Sequence, residues 1–197
     1  MPATAILLLA AGSSSRLGRP KQLLRYRDGT LLRHAAQTAL AAALGPVIVV
    51  LGSGEPECRE ALLGLPITMV LNLQWDEGMG TSIATGMQCV REAEHDAVII
   101  TLCDQPAITA CMLRALVRHP HDAGCSIVAS RHGDNRIVDP PVLFTAQHFA
   151  QLRLLKGHDG AKAIIRQRPA EELGFVPCPE AAFDVDTEQD VAALNHR

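Results

Sequence analysis

Short apolar runs alternate with amphipathic stretches along the first 120 residues of the chain. Four of these runs contain almost no charge, which predicts parallel strands that are covered on both faces. The four runs lie at residues 4–9, 47–51, 67–71 and 97–102. Patterns typical of helices lie at residues 31–44, 56–64, 81–94 and 109–118. The alternation predicts an α/β fold in which right-handed crossovers connect the strands of a mostly parallel sheet.

Capping residues mark several element boundaries. Thr30 can cap the first helix and Gly45-Pro46 can end it, while Thr187 can cap a last helix with Asp190 in its first turn. Beyond residue 120 the pattern is less regular, and residues 131–141 are predicted to be a polar loop. Further strands are predicted at residues 126–130, 141–144, 175–176 and 183–185, and helices near residues 145–155 and 160–168. Because no repeat or linker interrupts the pattern, residues 1–197 are predicted to form one domain.

Composition narrows the class of protein. Of the 197 residues, 48% are hydrophobic but only 3% are aromatic, which predicts a sizeable aliphatic core. No apolar run reaches the roughly 18 residues of a membrane span, and the first residues lack the charged start of a signal peptide. Six cysteines without a C-x-x-C pair indicate a reduced, cytoplasmic protein rather than a zinc or disulfide framework. A net charge of -3 with few aromatics does not favour nucleic-acid binding.

The first predicted strand runs into a loop of small residues that carries two kinds of cation. Small side chains at Gly12, Ser13 and Ser14 let backbone N–H groups approach a ligand and form an anion-binding concavity. Arg16 can bind phosphate oxygens through two parallel hydrogen bonds, and Lys21 adds a compact positive charge. The first 27 residues hold five basic residues and no acid, although the whole chain is negative. This local excess of positive charge predicts a polyphosphate ligand.

Two common phosphate-binding motifs do not match this loop. A P-loop requires G-x-x-x-x-G-K-[ST], whereas Gly18 is followed by Arg-Pro-Lys. A dinucleotide-binding fingerprint requires G-x-G-x-x-G, whereas the segment reads Ala-Ala-Gly-Ser-Ser-Ser. From the loop alone, an ordinary strand-to-helix turn with surface cations is the alternative to a phosphate site.

Aspartates stand where the ligands of a metal ion are expected. Asp104 directly follows the fourth predicted strand, and ligands of parallel sheets bind beyond the carboxyl ends of the strands. Mg²⁺ takes one or two carboxylates and completes its shell with substrate phosphates and water. Asp184 and Asp186 alternate with Val185, which places both carboxylates on one face of the predicted strand. The alternatives are a turn or capping role for Asp104 and an N-cap of the last helix at Asp186 or Thr187.

Six segments, in order along nearly the whole chain, resemble the motifs of one enzyme family. Residues 8–21 are similar to L-A-A-G-x-S-x-R-x-G-x-x-K, and residues 102–106 to L-x-D-x-P. Residues 72–82 resemble N-x-x-W-x-x-G-M-x-x-S, and residues 184–190 resemble D-x-D-T-x-x-D. Two further matches, each with a departure, lie at residues 139–144 and 157–161. The family is that of the MobA-like nucleotidyltransferases, and within it the chain most resembles the molybdenum cofactor cytidylyltransferases.

The resemblance implies a Rossmann-like three-layer sandwich of the nucleotide-diphospho-sugar transferase type. Its nucleotide-binding half would be about residues 1–120, and its acceptor-binding half about residues 121–197. The implied reaction is Mg²⁺-dependent transfer of CMP from CTP to the phosphate of molybdopterin, with release of pyrophosphate. Arg16, Lys21, Asp104 and Asp186 would carry the chemistry, and both aspartates would bind the metal. The residues implied to bind the nucleotide are Leu9, Ala10, Ala11, Gly12, Ser13, Ser14, Arg16, Lys21, Asn72, Gly78, Gly80, Ser82 and Asp104.

The nucleotide base and the role of one tryptophan follow from single residues. The segment Leu9-Ala10-Ala11-Gly12 has Ala where the guanylyltransferase branch of the family tends to carry Gly. The extra methyl group narrows the base site, which predicts a preference for CTP over GTP by a factor of tens, on the order of ~1–3 kcal/mol. Trp75 could be either a wall of the nucleotide pocket or a plug in the core.

Two departures from the family pattern leave the acceptor open. His158 stands in a slot that is acidic in the family, and Asp139-Pro140 stands where the family more often has Gly-His. Another phosphorylated acceptor, such as a sugar phosphate or methylerythritol phosphate, is therefore an alternative. A non-catalytic carrier that hands a nucleotide-bearing pterin to an apoenzyme is an alternative from another class. The protein partner in these interpretations is an apo-molybdoenzyme or its chaperone.

Overall fold

A computed structural model describes residues 3–131, 138–158 and 160–194. Seven strands form the central sheet: β1 (Thr4–Ala10), β4 (Val47–Leu51), β5 (Thr68–Leu71), β6 (Ala97–Leu102), β7 (Ile127–Arg131), β8 (Val138–Thr145) and β9 (Leu173–Pro177). Their order across the sheet is β5-β4-β1-β6-β8-β7-β9. Two short strands, β2 (Arg25–Tyr26) and β3 (Gly29–Thr30), form a separate hairpin.

Six of the seven strands run in one direction. β1 pairs in parallel with β4 and β6, β4 with β5, and β7 with β9. β8 is the reversed strand, because it pairs antiparallel with both β6 and β7. The prediction of a mostly parallel α/β sheet is confirmed.

Helices cover both faces of the sheet. They are α1 (Leu31–Ala42), α2 (Glu55–Ala61), α3 (Met79–Met87), α4 (Ala110–Ala123), α5 (Phe149–Arg153), α6 (Lys162–Arg166) and α7 (Glu188–Leu194). Alternate residues of β1 serve the two faces, as expected for a strand. Ile6 and Leu8 pack into a core with α1 and α4, whereas Leu7 and Leu9 pack into a second core with α3, α5 and α6. The result is the three-layer sandwich that the resemblance implies, with the aliphatic core that the composition predicts.

The helix caps predicted from the sequence are present. The hydroxyl of Thr30 accepts the N–H of Arg33 at 3.2 Å and so caps α1. Thr187 and Asp190 cap α7 reciprocally: the N–H of Thr187 donates to the Asp190 carboxylate at 2.7 Å, and the N–H of Asp190 donates to the Thr187 hydroxyl at 3.3 Å. Of the two candidates for this cap, Thr187 supplies the hydroxyl, which leaves the carboxylate of Asp186 for other contacts.

The helix predicted over residues 81–94 lies instead at Met79–Met87. Thr81 does not begin the helix, because its hydroxyl lies 2.8 Å from the carbonyl oxygens of both Gln74 and Gly78. Arg153 supplies hydrogen-bond donors at the C-terminus of this shorter helix. The guanidinium donates to the carbonyl oxygens of Met87 and Val90.

Three other boundaries in the second half differ from the prediction. Residues 183–185 form no strand within the described chain; instead the N–H of Val185 donates to the carbonyl oxygen of Asp104 at 3.0 Å. The predicted polar loop 131–141 ends earlier, because β8 already pairs with β7 from Val138 onward, and residues 132–137 lie outside the described part. The helix predicted near residues 145–155 divides into a 3₁₀ turn at Ala146–His148 and the short α5. None of the described helices has the length and apolar character needed to cross a membrane.

Candidate active site

The loop that follows β1 lies at the carboxyl edge of the sheet, between the ends of β4 and β6. Its backbone turns at Ser14 and Gly18, which have φ angles of 55° and 71°. The carbonyl oxygen of Ser14 accepts the N–H groups of both Leu17 and Gly18. Because a positive φ is strained for most residues, Gly18 is suited to its position in this turn.

Gln22 holds this loop in place, a role that the sequence analysis missed. Its side chain is buried, and its amide donates to the carbonyl oxygens of Ala10 at 3.1 Å and Gly12 at 2.6 Å. The hydroxyl of Ser14 donates to the Gln22 amide oxygen and accepts the N–H of Lys21 at 3.0 Å. A polar amide directly after Lys21, in front of Leu23-Leu24, is the available sequence signal. The conformation of the loop therefore depends on the side-chain amide of Gln22, which was not among the predicted site residues.

Lys21, Asp104 and Asp186 form a charge cluster beside this loop. The Lys21 ammonium contacts Asp104 Oδ2 and lies 2.7 Å from Asp186 Oδ1. Arg16 Nη1 lies 3.0 Å from the other oxygen of Asp186. Partial burial tends to lower the pKa of Lys21, but the charges and hydrogen bonds of Asp104 and Asp186 outweigh it and raise the pKa above its usual range. Three predicted site residues from distant parts of the chain thus converge at one point.

Asp104 has one carboxylate oxygen to spare. Its Oδ1 atom is buried and has no hydrogen-bond partner among the described residues. Buried polar atoms are almost always paired, so this oxygen calls for a ligand. The described residues contain no group of three or more His, Cys, Asp or Glu side chains placed to hold a metal ion. Two carboxylates still fit Mg²⁺, because that ion takes its remaining ligands from substrate phosphates and water.

Two adjoining cavities open at the charge cluster. The first has a volume of about 320 Å³ and the second about 460 Å³. Lys21, Asp104 and His158 line both cavities. Any two ligands that occupied the two cavities would therefore meet at the Lys21 ammonium and the Asp104 carboxylate.

Most of the residues predicted to bind the nucleotide line the first cavity. They are Leu9, Ala10, Ala11, Gly12, Lys21, Gly78, Ser82 and Asp104. Trp75 lines this cavity and also packs against the core, so it combines both of its proposed roles. The other predicted residues, Ser13, Ser14, Arg16, Asn72 and Gly80, do not line it, and Arg16 lines the second cavity instead. Asn72 is buried and donates to the hydroxyls of Thr81 and Ser82, so it supports the wall of the cavity from behind.

Gly78 and Gly80 permit a close approach, but the partner is the chain itself. A Cβ atom added to Gly78 would lie 2.4 Å from the carbonyl oxygen of Gly157, and one added to Gly80 would lie 2.6 Å from that of Lys156. The N–H of Gly80 donates to the Gly157 carbonyl oxygen at 2.9 Å. The family resemblance implies that both glycines bind the nucleotide. At Gly80 the donor is already used in holding residues 156–158 against α3.

The second cavity combines an apolar wall with a charged rim. Its wall includes Ile83, Ile100, Val142, Phe144 and Ile165. Arg16, Asp139, His158, Lys162, Asp184 and Asp186 line its polar side. Lys162 Nζ and Asp139 Oδ1 form an ion pair at 3.1 Å. Partial burial of its carboxyl, followed by the nearby charge of Asp104, raises the pKa of Asp184 to about 6.

A larger cavity, which we call the remote cavity, lies at the opposite end of the sheet. Its volume is about 820 Å³, and its lining includes Asp96, Ser126, His148, Arg168 and Glu172. None of the residues that the sequence analysis assigned to the site lines it. The predicted residues instead gather at the carboxyl edge, where α/β sheets bind their ligands.

Comparisons with known proteins give the chain its relatives. A nicotine blue oxidoreductase of Paenarthrobacter nicotinovorans is 32% identical over 202 residues, covering 98% of this chain and 97% of the relative. A probable molybdenum cofactor guanylyltransferase of Bacillus mycoides is 27% identical over 103 residues, covering 52% of this chain and 50% of the relative.

Solved structures resemble the whole chain. The crystal structure of Rv0371c from Mycobacterium tuberculosis matches with a TM-score of 0.83 and 27% identity, covering 100% of this chain and 98% of that one. A manganese complex of the same mycobacterial protein matches with a TM-score of 0.79 and 25% identity, covering 100% and 99%.

A family model supplies the classification. The model of the MobA-like NTP transferase domain matches residues 6–172, a span that includes the loop after β1, Asp104 and both cavity walls formed by α3 and α6. Asp186 lies beyond the matched span, so its place beside Lys21 is an observation of the structure alone. The chain therefore belongs to the MobA-like NTP transferase family and is a nucleotidyltransferase.

Proposed function

We propose that this nucleotidyltransferase moves CMP from CTP to the phosphate of molybdopterin and releases pyrophosphate. The observation that carries the proposal is the charge cluster of Lys21, Asp104 and Asp186 at the junction of two cavities. A nucleotidyl transfer needs two ligands that meet at one phosphorus atom, with cations around it. The junction supplies this arrangement.

The two cavities divide the substrates between them in this proposal. CTP lies in the first cavity, with its triphosphate directed at Lys21, at the backbone of residues 10–14 and at Arg16, which lines the adjoining second cavity. The acceptor lies in the second cavity, whose apolar wall suits a flat ring system and whose charged side leads its phosphate to Lys21. The nucleotide half is then about residues 1–120 and the acceptor half about residues 121–197, with Asp186 contributed to the shared centre.

The chemistry requires no nucleophile from the protein. An oxygen of the acceptor phosphate forms a bond to the α-phosphorus of CTP, and the bond from that phosphorus to the α,β-bridging oxygen breaks. The electron pair leaves with pyrophosphate. The chain holds the two phosphates in line and places the charges of Lys21 and Arg16 where negative charge grows, which are the main contributions a protein makes to phosphoryl transfer.

Asp104 and Asp186 would hold Mg²⁺ in this assignment. When bound, the ion neutralises the phosphates and polarises the α-phosphoryl group. The buried Oδ1 of Asp104 supports the assignment, because Asp104 lines both cavities and this oxygen lacks a hydrogen-bond partner among the described residues. The manganese complex of the mycobacterial protein supports a divalent ion in this type of structure.

The names of the relatives point in more than one direction. The relative that this chain matches over 97% of its length is named an oxidoreductase, whereas the relative named after the molybdenum cofactor is matched over 50% of its length. We favour nucleotidyl transfer because the family model covers residues 6–172 and because the charge cluster suits phosphate chemistry. The acceptor needs its own test, because Asp139 and His158 at the second cavity depart from the family pattern.

The test is transfer from α-³²P-labelled CTP, GTP, ATP and UTP to a panel of acceptors. The panel contains molybdopterin, the molybdenum cofactor, methylerythritol phosphate and a sugar phosphate, with pyrophosphate release measured in parallel. We expect a labelled dinucleotide product with CTP and molybdopterin or its molybdenum form. Transfer to another phosphate would replace the acceptor and keep the reaction class.

A second arm separates the remaining classes of function. Binding of a nucleotide-bearing pterin without pyrophosphate release from any pair would indicate a carrier. Reduction of nicotine blue by a nicotinamide cofactor, with no transfer of label in any reaction, would contradict the proposal and favour the activity named for the relative.

A further inference from the structure

Both oxygens of Asp186 are occupied by cations of the protein. Lys21 Nζ lies 2.7 Å from Oδ1, and Arg16 Nη1 lies 3.0 Å from Oδ2. Asp104 differs, because Lys21 contacts its Oδ2 while its buried Oδ1 has no partner among the described residues. Asp104 therefore has one carboxylate oxygen without a cationic partner, whereas both oxygens of Asp186 have one.

The same groups have competing tasks in the proposed function. Arg16 and Lys21 are assigned to the triphosphate, and Asp104 and Asp186 are assigned to the metal. In the structure these cations and anions are paired with each other instead. A divalent ion beside the oxygens that Lys21 contacts would be repelled by the ammonium, because like charges at such distances disfavour each other strongly.

Resting on the proposed function, we infer that Lys21 and Arg16 exchange partners when the nucleotide binds. The triphosphate draws the two cations away from Asp186 and from Oδ2 of Asp104, and the freed carboxylates then bind the metal. Metal and nucleotide consequently strengthen each other's binding. Asp104 Oδ1 provides the first contact for the ion, and Asp186 joins only after the exchange.

The surroundings allow this exchange by side-chain rotation alone. The Arg16 side chain is 78% exposed, so releasing Asp186 uncovers no apolar surface. The backbone of Lys21 is held by the Ser14 hydroxyl, and the next residue, Gln22, is anchored to Ala10 and Gly12. The backbone of Lys21 can therefore stay in place while its long side chain moves from the two carboxylates toward the first cavity, which it already lines.

Coupling of this kind is reciprocal, which makes it measurable from either ligand. If the nucleotide raises the affinity for the metal, the metal raises the affinity for the nucleotide by the same factor. Couplings between sites are typically about 5–150-fold. We expect a value in this range for the wild-type protein and a smaller one when either cation is removed.

The experiment measures binding of Mn²⁺ by electron paramagnetic resonance, with and without α,β-methylene-CTP, whose methylene bridge prevents transfer. The affinity of Mn²⁺ for the free analogue is measured separately and closes the thermodynamic cycle. Wild type is compared with Lys21→Met, which keeps the unbranched stem, and with Arg16→Met. Arg19→Met is the matched control, because Arg19 lies in the same loop but pairs with Glu188 at 2.9 Å.

Without nucleotide, Lys21→Met should bind Mn²⁺ at least about fivefold more tightly than wild type, the lower end of ordinary coupling. Arg16→Met should move in the same direction by less, and Arg19→Met should match wild type. Arg16 and Arg19 are exposed, so the comparison of Arg16→Met with Arg19→Met still tests the inference if Lys21→Met does not fold. An unchanged or weaker nucleotide-free Mn²⁺ affinity in folded Lys21→Met and Arg16→Met overturns the inference.

The outcomes also separate this inference from the proposed function. Wild type that transfers CMP but binds Mn²⁺ and the analogue independently overturns the inference alone. Wild type that binds Mn²⁺ more tightly with the analogue, yet transfers CMP to none of the acceptors, supports the inference and contradicts the proposed function.

Discussion

The two ends of the central sheet carry cavities of different character. At the amino end, the 820 Å³ remote cavity is the larger, and its polar groups mostly contact each other. His148 Nε2 lies 2.9 Å from the Ser126 hydroxyl, which donates to Glu172 at 2.9 Å. At the carboxyl end, two smaller cavities meet at charged groups from three distant parts of the chain.

Cavity size and the predicted site residues therefore point to different ends of the sheet, and we assign the candidate site to the end where the pairing of charge is incomplete. Three buried side-chain atoms of the described residues have no hydrogen-bond partner: Arg168 Nε beside the remote cavity, and Asp104 Oδ1 and Gln105 Oε1 beside the cavities at the carboxyl end. The Arg168 guanidinium already donates to Gln151 and lies 4.0 Å from Glu172. Asp104 instead lines a cavity together with Lys21, which we propose to bind the phosphates of the nucleotide. If the proposed function is correct, the carboxyl end of the sheet leaves some of its charged atoms without protein partners so that bound ligands can pair with them.

Aspartates at the two ends of β6 give the sharpest test of this comparison. Asp104→Asn keeps the size of the side chain but removes its charge, and we expect turnover to fall by more than about 10³-fold, beyond the loss of one neutral donor. Asp96→Asn, at the other end, should leave turnover unchanged, because an amide oxygen can still accept the N–H of Ala3. Initial rates against Mg²⁺ concentration, with circular dichroism for folding, measure both.

Near-normal turnover of folded Asp104→Asn would remove Asp104 from the site and leave Asp186 without its proposed partner. Loss of turnover in both variants would point to a structural effect of β6 instead.

Lys21→Ala should have the next largest effect. If the ammonium acts on charge that grows during transfer, kcat should fall by about 10²–10³-fold and the KM for CTP should rise by less. Arg19→Ala, in the same loop but paired with Glu188, is the control for a general loss of positive charge. Steady-state kinetics with CTP and the identified acceptor decide the point. A normal kcat with a raised KM would assign Lys21 to ground-state binding of the phosphates.

Ala11→Gly tests how the first cavity selects its base. Ala11 packs closely against its neighbours: a Cβ atom added to Gly52 would lie 2.8 Å from Ala11 Cβ and 2.7 Å from Trp75 Cβ. Removing the Ala11 methyl group enlarges the first cavity by the volume of that group. A change of this size is worth about 10-fold or slightly more in selectivity between two substrates. We expect the ratio of kcat/KM for CTP over GTP to fall by that factor. An unchanged ratio would mean that the base contacts other residues.

The smallest effect is expected at the amino end and on stability alone. Burial lowers the pKa of His148 below its ordinary value of 6.5, so the unfolded chain takes up a proton first and the native state loses stability as the pH falls below about 7. His148→Gln should cost about 0.5–1.5 kcal/mol at pH 7 through the lost contact with Ser126. It should then lose less stability than wild type between pH 7 and pH 5.

Urea unfolding at several pH values measures this difference, and His34, whose pKa is also lowered by burial, is present in both proteins and cancels. A matching fall in turnover for folded His148→Gln would show that the two ends of the sheet are not independent.

Much of the fold was predictable because its causes are local. The apolar runs of β1, β4 and β6 identify buried parallel strands wherever they pack, and Thr30 and Thr187 cap helices through residues three positions away. Predictions went wrong where a distant group intervened. Arg153 donates to carbonyl oxygens at the end of α3, which is shorter than predicted. Val185 donates its N–H to the carbonyl oxygen of Asp104, and residues 183–185 are not paired in a sheet.

The candidate site divides in the same way. The composition of the loop after β1 and the position of Asp104 after an apolar strand specify, by themselves, a cationic loop and a carboxylate at the same edge of a parallel sheet. Only the tertiary structure decides that Lys21 contacts Asp104, 83 residues away, and Asp186, 165 residues away. It also decides that Gly78 and Gly80 pack against residues 156–158 so closely that neither position has room for a Cβ atom. Local sequence sets which charges and turns are available, whereas the choice of partner depends on which of them the packed sheet brings within hydrogen-bond reach.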